Sequence, residues 1–448
     1  MRVRWPGGSV GAAAERREIV RLAVPAFAAL VSEPAFLLTD AAVVGHLGTA
    51  PLASLAVAGT VVQTIVGLCV FLAYGTTAAV ARHLGARDNA GALSTGMAGI
   101  WLATLLGCAL AAGLTLGAEV VAGAFGTSAG VRDGAVTYLR WAAPGLPAML
   151  VVLAATGVLR GLQDTVTPLV VAIVANVANA VLNVTLVYGL DLGLAGSALG
   201  TTLAQLGAAA AMMVVIVRAG RRQGAALGPT LAGVRASARA GGPLVVRTLT
   251  LRAALLLSTL VAATLGSAAT AAHHVVMTVV TALAFALDAL AIAGQALTGR
   301  FLGAGDPEAA LRTTSTMVRW GAGGGLIAGL SLMAVSPWLT WVFTDDPAVR
   351  AAAIPALVVA GLVQPVSGVV FVLDGVLIGA GDGAYLARAG LLTLLAYTPL
   401  ALMVLATGGG LAWLWAAYSG FMLARLWTLT RRARSDVWLV SGLPNASA

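Results

Sequence analysis

Apolar runs of about 20 residues, the length that crosses a bilayer core, recur along the chain with short polar breaks between them. They predict about twelve helices, near 18–45, 52–80, 92–118, 135–158, 167–189, 194–218, 241–265, 270–298, 312–334, 351–377, 385–407 and 410–430. No run has the alternating pattern of an outer-membrane strand. The pattern also repeats at one constant offset of 218 positions. Leu47-Gly48-Thr49-Ala50 returns as Leu265-Gly266-Ser267-Ala268, and Arg82-His83-Leu84-Gly85-Ala86-Arg87-Asp88 as Arg300-Phe301-Leu302-Gly303-Ala304-Gly305-Asp306. Leu159-Arg160-Gly161-Leu162-Gln163-Asp164 returns as Leu377-Ile378-Gly379-Ala380-Gly381-Asp382. The expected fold is an all-α polytopic membrane protein of two homologous lobes, each of about six helices. An even number of spans starts both repeats on one side of the membrane, so they are parallel, and transport folds built this way hold a cavity between the lobes. The expected boundaries are an N-terminal tail at 1–17, an N-lobe at 18–218, a linker at 219–240, a C-lobe at 241–430 and a C-terminal tail at 431–448.

Composition excludes a soluble globule. Hydrophobic residues make up 59% and charged residues 10%, against a charged share of about 25% in soluble domains. The net charge of +9 would suit nucleic acid, but the arginines sit where membrane topology requires them. Arg16, Arg17 and Arg21 precede the first helix, Arg82 and Arg87 follow the second, and Arg160 follows the fourth. Arg218, Arg221, Arg222, Arg235 and Arg239 fill the linker, and Arg431, Arg432 and Arg434 follow the last helix. The expected partner is the lipid bilayer, not nucleic acid, with both termini cytoplasmic in the inner membrane. Arg2 and Arg4 open the chain, but no short apolar segment with a small-residue cleavage site precedes Leu22, so no removable leader is expected. Cys69 and Cys108 lie in different apolar runs and are expected as small core residues. His273 and His274 open the eighth run, where an interfacial role is expected. No metal site and no cofactor are expected.

The candidate chemistry begins in the first run, which carries Glu33 and Asp40. An acid at the centre of a bilayer costs on the order of 3 kcal/mol, so such residues usually face a cavity. Two helical turns separate the pair, which places them on one face roughly 10 Å apart. Pro34 lies between them and cannot donate to the Leu30 carbonyl, leaving an acceptor for a proton, a cation or a water. The alternative for each acid is a hydrogen bond to a neighbouring helix. Asn176, Asn179 and Asn183 stack along one face of the fifth helix, and Thr201 follows on the sixth. Such amides either bind helices together or complete a polar pocket. In the second lobe, Arg252, Asp288 and Asp374 lie at matched depth, which predicts a salt-bridged cluster or, alternatively, a second proton or substrate site.

These residues resemble those of multidrug and toxic compound extrusion (MATE) transporters, within them the DinF-like branch. The resemblance rests on Glu33-Pro34 running through Thr39-Asp40 to Val44-Gly45-His46-Leu47-Gly48, on Leu159 to Thr165 with Pro168, on Ala286 to Ala291 before Gly303 to Asp306, and on Val372 to Gly375. It implies two six-helix lobes around a central cavity and exchange of cations for amphipathic, often cationic, organic compounds. It further implies that Asp40 is the proton and substrate site, that Pro25 is a hinge, and that Asn179, Asn183 and Thr201 form a polar site; from the residues alone, Glu33 is a candidate lining of that cavity and Pro34 a second candidate hinge. Some relatives carry Asp where this chain has Asn183, which weakens the expectation of a Na⁺ site and favours H⁺. The expected function is a secondary antiporter that exports organic cations or drugs in exchange for protons. Lipid-linked precursor flipping and Na⁺-coupled export are the alternatives. A flippase would want cationic residues for pyrophosphate, whereas the N-lobe candidates are acids. An enzyme is not expected: no His-Glu-x-x-His pattern occurs, and no histidine is expected deep in a span.

Overall fold

The computed structural model describes residues 12–443. Arg2, Arg4 and the outer parts of both expected tails lie outside the described residues. Among the described residues the chain is helical, without a strand. It divides into two compact units: residues 28–241, the N-lobe, and those from Gly242 onward together with residues up to Phe27, the C-lobe. Helix α1 (Ala12–Gly45) contributes to both.

The N-lobe continues through α2 (Thr49–Leu68), α3 (Phe71–Gly85), α4 (Asn89–Gly123), α5 (Ala129–Ala142), α6 (Leu146–Gly161), α7 (Val166–Val184) and α8 (Gly193–Gln223). The later helices are α9 (Leu231–Thr264), α10 (Ser267–Gly303), α11 (Pro307–Phe343), α12 (Pro347–Gly379), α13 (Gly383–Thr407) and α14 (Leu411–Ala433). Among the described residues, eleven segments are long and apolar enough to cross a membrane. In repeat order α14 is the twelfth; it starts at the counterpart of α8 and carries Arg425, Arg431 and Arg432.

The repeat is visible in the helix starts and in the turns. Gly48 and Gly266, counterparts at the constant offset, both have φ above +100°, a conformation open to glycine. Asp88 and Asp306 each accept a backbone N–H from the third residue onward, Gly91 and Ala309, at 2.8 Å. Each is a helix N-cap that satisfies one orphan donor. Asp88 is half-buried at its turn, and the Gly91 amide, then His83, hold its carboxyl below the usual aspartate range.

Two expected helix bounds are corrected. The run at 52–80 breaks at Cys69 and Val70 into α2 and α3. The run at 135–158 breaks into α5 and α6 around a short turn, Ala143–Gly145, because Pro144 and Pro147 remove two helical donors there. Thr202 Oγ1 donates to the freed Trp141 carbonyl at 3.0 Å. Most of the expected linker at 219–240 is helical as well: α8 ends on Gly224 in the left-handed conformation and α9 starts beside Thr230, whose Oγ1 accepts the Gly233 amide. His273 is buried, with its ring 5.8 Å from that of Trp415, while Cys108 is exposed and of the two cysteines only Cys69 is a core residue.

Candidate functional site: a buried carboxylate in the N-lobe

Helix α1 brings Asp40 against α7 and α8, where it is 4% exposed. Hydrogen bonds on either side of it fix the register. Asn176 Nδ2 donates to the Ser32 carbonyl at 3.0 Å, and the Tyr188 hydroxyl donates to the Val43 carbonyl. The helices approach closely because Gly200 stands opposite Asn183; a Cβ there would meet the Asn183 backbone nitrogen at 3.3 Å.

The side chains form a closed ring. Asn183 Nδ2 donates to Asp40 Oδ1 at 2.5 Å and to Asn179 Oδ1 at 3.0 Å. Asn179 Nδ2 donates to Thr201 Oγ1 at 3.1 Å, and Thr201 Oγ1 donates to Asp40 Oδ2 at 3.4 Å. All four side chains are buried. Both carboxylate oxygens thus meet neutral donors, and among the described residues no cationic side chain pairs with Asp40. Asn183 Oδ1 is buried without a partner, so the site keeps one unused acceptor.

Two features escaped the sequence. Tyr138 on α5 is buried beside Thr201 and Asp40. The only signal for it was an aromatic residue in an apolar run. Directly after Asn183 and Val184, the chain forms one π-helical turn, Thr185–Gly189. Such turns are frequent at functional sites, but nothing in the residue pattern marked this one. Of the other expected site residues, Glu33 on α1 is exposed and lies outside the ring, and Pro25 and Pro34 are half-buried within the same continuous helix.

The expected cluster of Arg252, Asp288 and Asp374 forms differently. Asp374, on α12, pairs with Arg247 through both of its oxygens and with Arg425 Nη2 at 3.5 Å. These three side chains are between 7% and 12% exposed. Arg252 is exposed and is not a partner of Asp374. The reason is helical phase: five residues at 3.6 per turn rotate a side chain by about 140°, so Arg247 and Arg252 cannot share a face of α9. Asp288 is half-buried on α10.

The MatE family model matches the chain twice, over residues 25–185 and 243–403, at the same 218-position offset as the repeat. The chain is 31% identical to Protein DETOXIFICATION 44, chloroplastic, of Arabidopsis thaliana, over 91% of its own length and 80% of that relative. It is 27% identical to DNA damage-inducible protein F of Escherichia coli (strain K12), over 94% of this chain and 93% of that one. The fold matches that of the Vibrio cholerae MATE transporter VcmN in its bent form with a TM-score of 0.85, covering 96% of this chain and 100% of that one at 21% identity. With two matched repeats, long apolar spans and this fold, the chain belongs to the MatE family of multi-pass membrane transporters, which export multidrug and toxic compounds.

Proposed function

We propose that the protein exports amphipathic organic cations in exchange for protons, with Asp40 as the group for which the two compete. The observation that carries this reading is a buried carboxylate whose neighbours, Asn183 and Thr201, are neutral. An ionised carboxylate out of water without a counter-charge is costly. Either a proton or an organic cation removes that cost, and one group cannot hold both. When the site opens toward the cytoplasm, an ionised Asp40 attracts the cation; when it opens outward, protonation cancels the charge and releases it. Asn179 orients Thr201, and Thr201 and Asn183 orient the carboxylate. Glu33, exposed on the same helix, adds a second negative charge for recruiting cations. The N-lobe and C-lobe boundaries follow the repeat, both termini lie on the cytoplasmic side of the inner membrane, as the arginine distribution suggests, and Pro25 and Pro34 serve as bending points of α1.

Sodium coupling is the second reading, and the unpartnered Asn183 Oδ1 beside Asp40 favours it, because hard cations are held by oxygen ligands. Proteoliposomes loaded with a fluorescent organic cation separate the two. A pH gradient alone should drive flux in wild-type protein and fail to do so in folded Asp40→Asn. Flux that follows only a Na⁺ gradient would reject the proton, and proton-driven flux in Asp40→Asn would reject the site.

A further inference from the structure

In the C-lobe, α11 and α14 both pack on α12, and between them lies a cavity of about 950 Å³. Its floor and walls are apolar, including Val369, Leu373, Leu423 and Trp427. Leu423 and Trp427 are 52% and 62% exposed, so the cleft is open along its side. One end carries Arg319, Arg431 and Arg434, all exposed. Arg431 lies over the Trp427 ring at 5.5 Å, and Arg319 Nε donates to the Ser315 carbonyl. Among the described residues no acid lines the cavity, and no carboxylate pairs with any of these arginines.

The repeat supplies an independent observation. The counterparts of these arginines at the 218-position offset are Trp101, Met213 and Ile216, all apolar. There the segment between α8 and α9 lies across the helices: Trp101 Nε1 donates to the Leu227 carbonyl at 3.0 Å, and the Ala226 amide donates to Ser94 Oγ at 2.9 Å. The Leu227 side chain sits against Gly220, where a Cβ would approach it to 2.5 Å. The N-lobe therefore covers this region with its own chain. In the C-lobe the segment after α14 turns instead toward α10, where the Gly442 amide donates to the Leu302 carbonyl at 2.8 Å. The cleft stays open and cationic.

We propose that this cleft holds an anionic phospholipid, with its phosphate at Arg319, Arg431 and Arg434 and its acyl chains against Val369, Leu373 and Leu423. Guanidinium groups pair with phosphate in a fork geometry, a tryptophan beside them suits the depth of lipid headgroups, and basic pockets between spans attract anionic lipid. A zwitterionic lipid would leave the uncompensated charge in place, and a free anion would leave the apolar walls empty.

The test compares purified full-length protein, delipidated and exposed to equimolar phosphatidylglycerol and phosphatidylcholine, with retained lipid counted by native mass spectrometry. Wild type should retain phosphatidylglycerol preferentially. Arg319→Gln/Arg431→Gln/Arg434→Gln should lower that preference at least about tenfold, and the charge-matched control Arg218→Gln/Arg221→Gln/Arg222→Gln should keep it. Should the triple variant melt early, the single substitutions, each on an exposed side chain, should still lower the preference several-fold. Equal retention by the cleft variant, an equal loss in the control, or stabilisation by inorganic phosphate matching that by phosphatidylglycerol would each overturn the proposal.

Discussion

Where the N-lobe places Asp40, Asn179 and Thr201, the C-lobe places Ser258, Tyr397 and Ser419 at the matching positions of the repeat. Ser258 Oγ and the Tyr397 hydroxyl are 2.6 Å apart, and Tyr397 packs on Tyr418 and Phe421 with ring centroids 6.1 and 5.6 Å away. One lobe holds an uncompensated acid in a ring of amides; the other fills the same place with aromatic rings. The reverse holds lower down, where Asp374, Arg247 and Arg425 of the C-lobe match Thr156, Ala29 and Gly207. There the C-lobe spends its charge on pairing. The helices differ in the same sense. The N-lobe is interrupted at Cys69, at Ala143–Gly145 and at Thr185–Gly189, while the corresponding stretches of α10, α12 and α13 run on. A lone acid beside broken helices is an arrangement for change, and a paired acid among continuous helices is one for stability.

The same substitution made in each lobe is the strongest test of that contrast. Asp40→Asn should abolish proton-driven efflux while leaving the melting temperature near that of wild type, because an amide fits the ring. Loss of fold in this variant would break the comparison. Asp374→Asn should act the other way: it leaves Arg247 and Arg425 buried without their acid, at a cost of roughly 3–5 kcal/mol, seen as early melting and low yield. Adding Arg425→Leu should restore part of the loss, and a double variant no more stable than Asp374→Asn would show that the pairing is not what matters.

Helix caps sharpen the comparison at a smaller scale, because here the lobes agree. Asp88→Ala and Asp306→Ala should each cost about 1 kcal/mol, and unequal losses would mean that one cap has another task. The Asp88 carboxyl is held below its ordinary value, so its contribution is fully present above about pH 4 and fades as pH falls through the lowered value. The difference between wild type and Asp88→Ala should therefore shrink in acid, read as converging melting temperatures. The smallest effect is expected for Arg252→Ala. This exposed side chain is not a partner of Asp374, and its loss should change stability by less than about 0.5 kcal/mol.

Hydropathy and the internal repeat made the two-lobe helical fold legible, because membrane spans must be long, apolar and helical. Asp40 was legible for the same reason: a lone acid in an apolar run has few ordinary explanations. Asn179 and Asn183 could be placed on one face of α7 by their spacing, but their ring with Thr201 depends on how α1, α7 and α8 dock, which no single-helix pattern encodes. The Arg247 pairing was missed because depth along a helix was matched while rotation about its axis was not. Tyr138 was missed because a tyrosine among apolar residues looks like packing until the helices around it are docked. The breaks at Cys69 and Thr185–Gly189 left little trace, since an apolar run looks the same whether its backbone is straight or turned; only the break at Ala143–Gly145 carries a sequence mark, in Pro144 and Pro147.

The constant 218-position register, kept from the Gly48 and Gly266 turns to the first residues of α8 and α14, has a consequence for the history of the chain. A tandem duplication that preserves its spacing across this whole interval can diverge only by exchanging side chains. Division of labour between the halves was therefore written in point changes on an inherited frame, and each one has an address in the other half. A chimaera that carries residues of one half at their addresses in the other can retrace such steps singly, since the loops need no redesign.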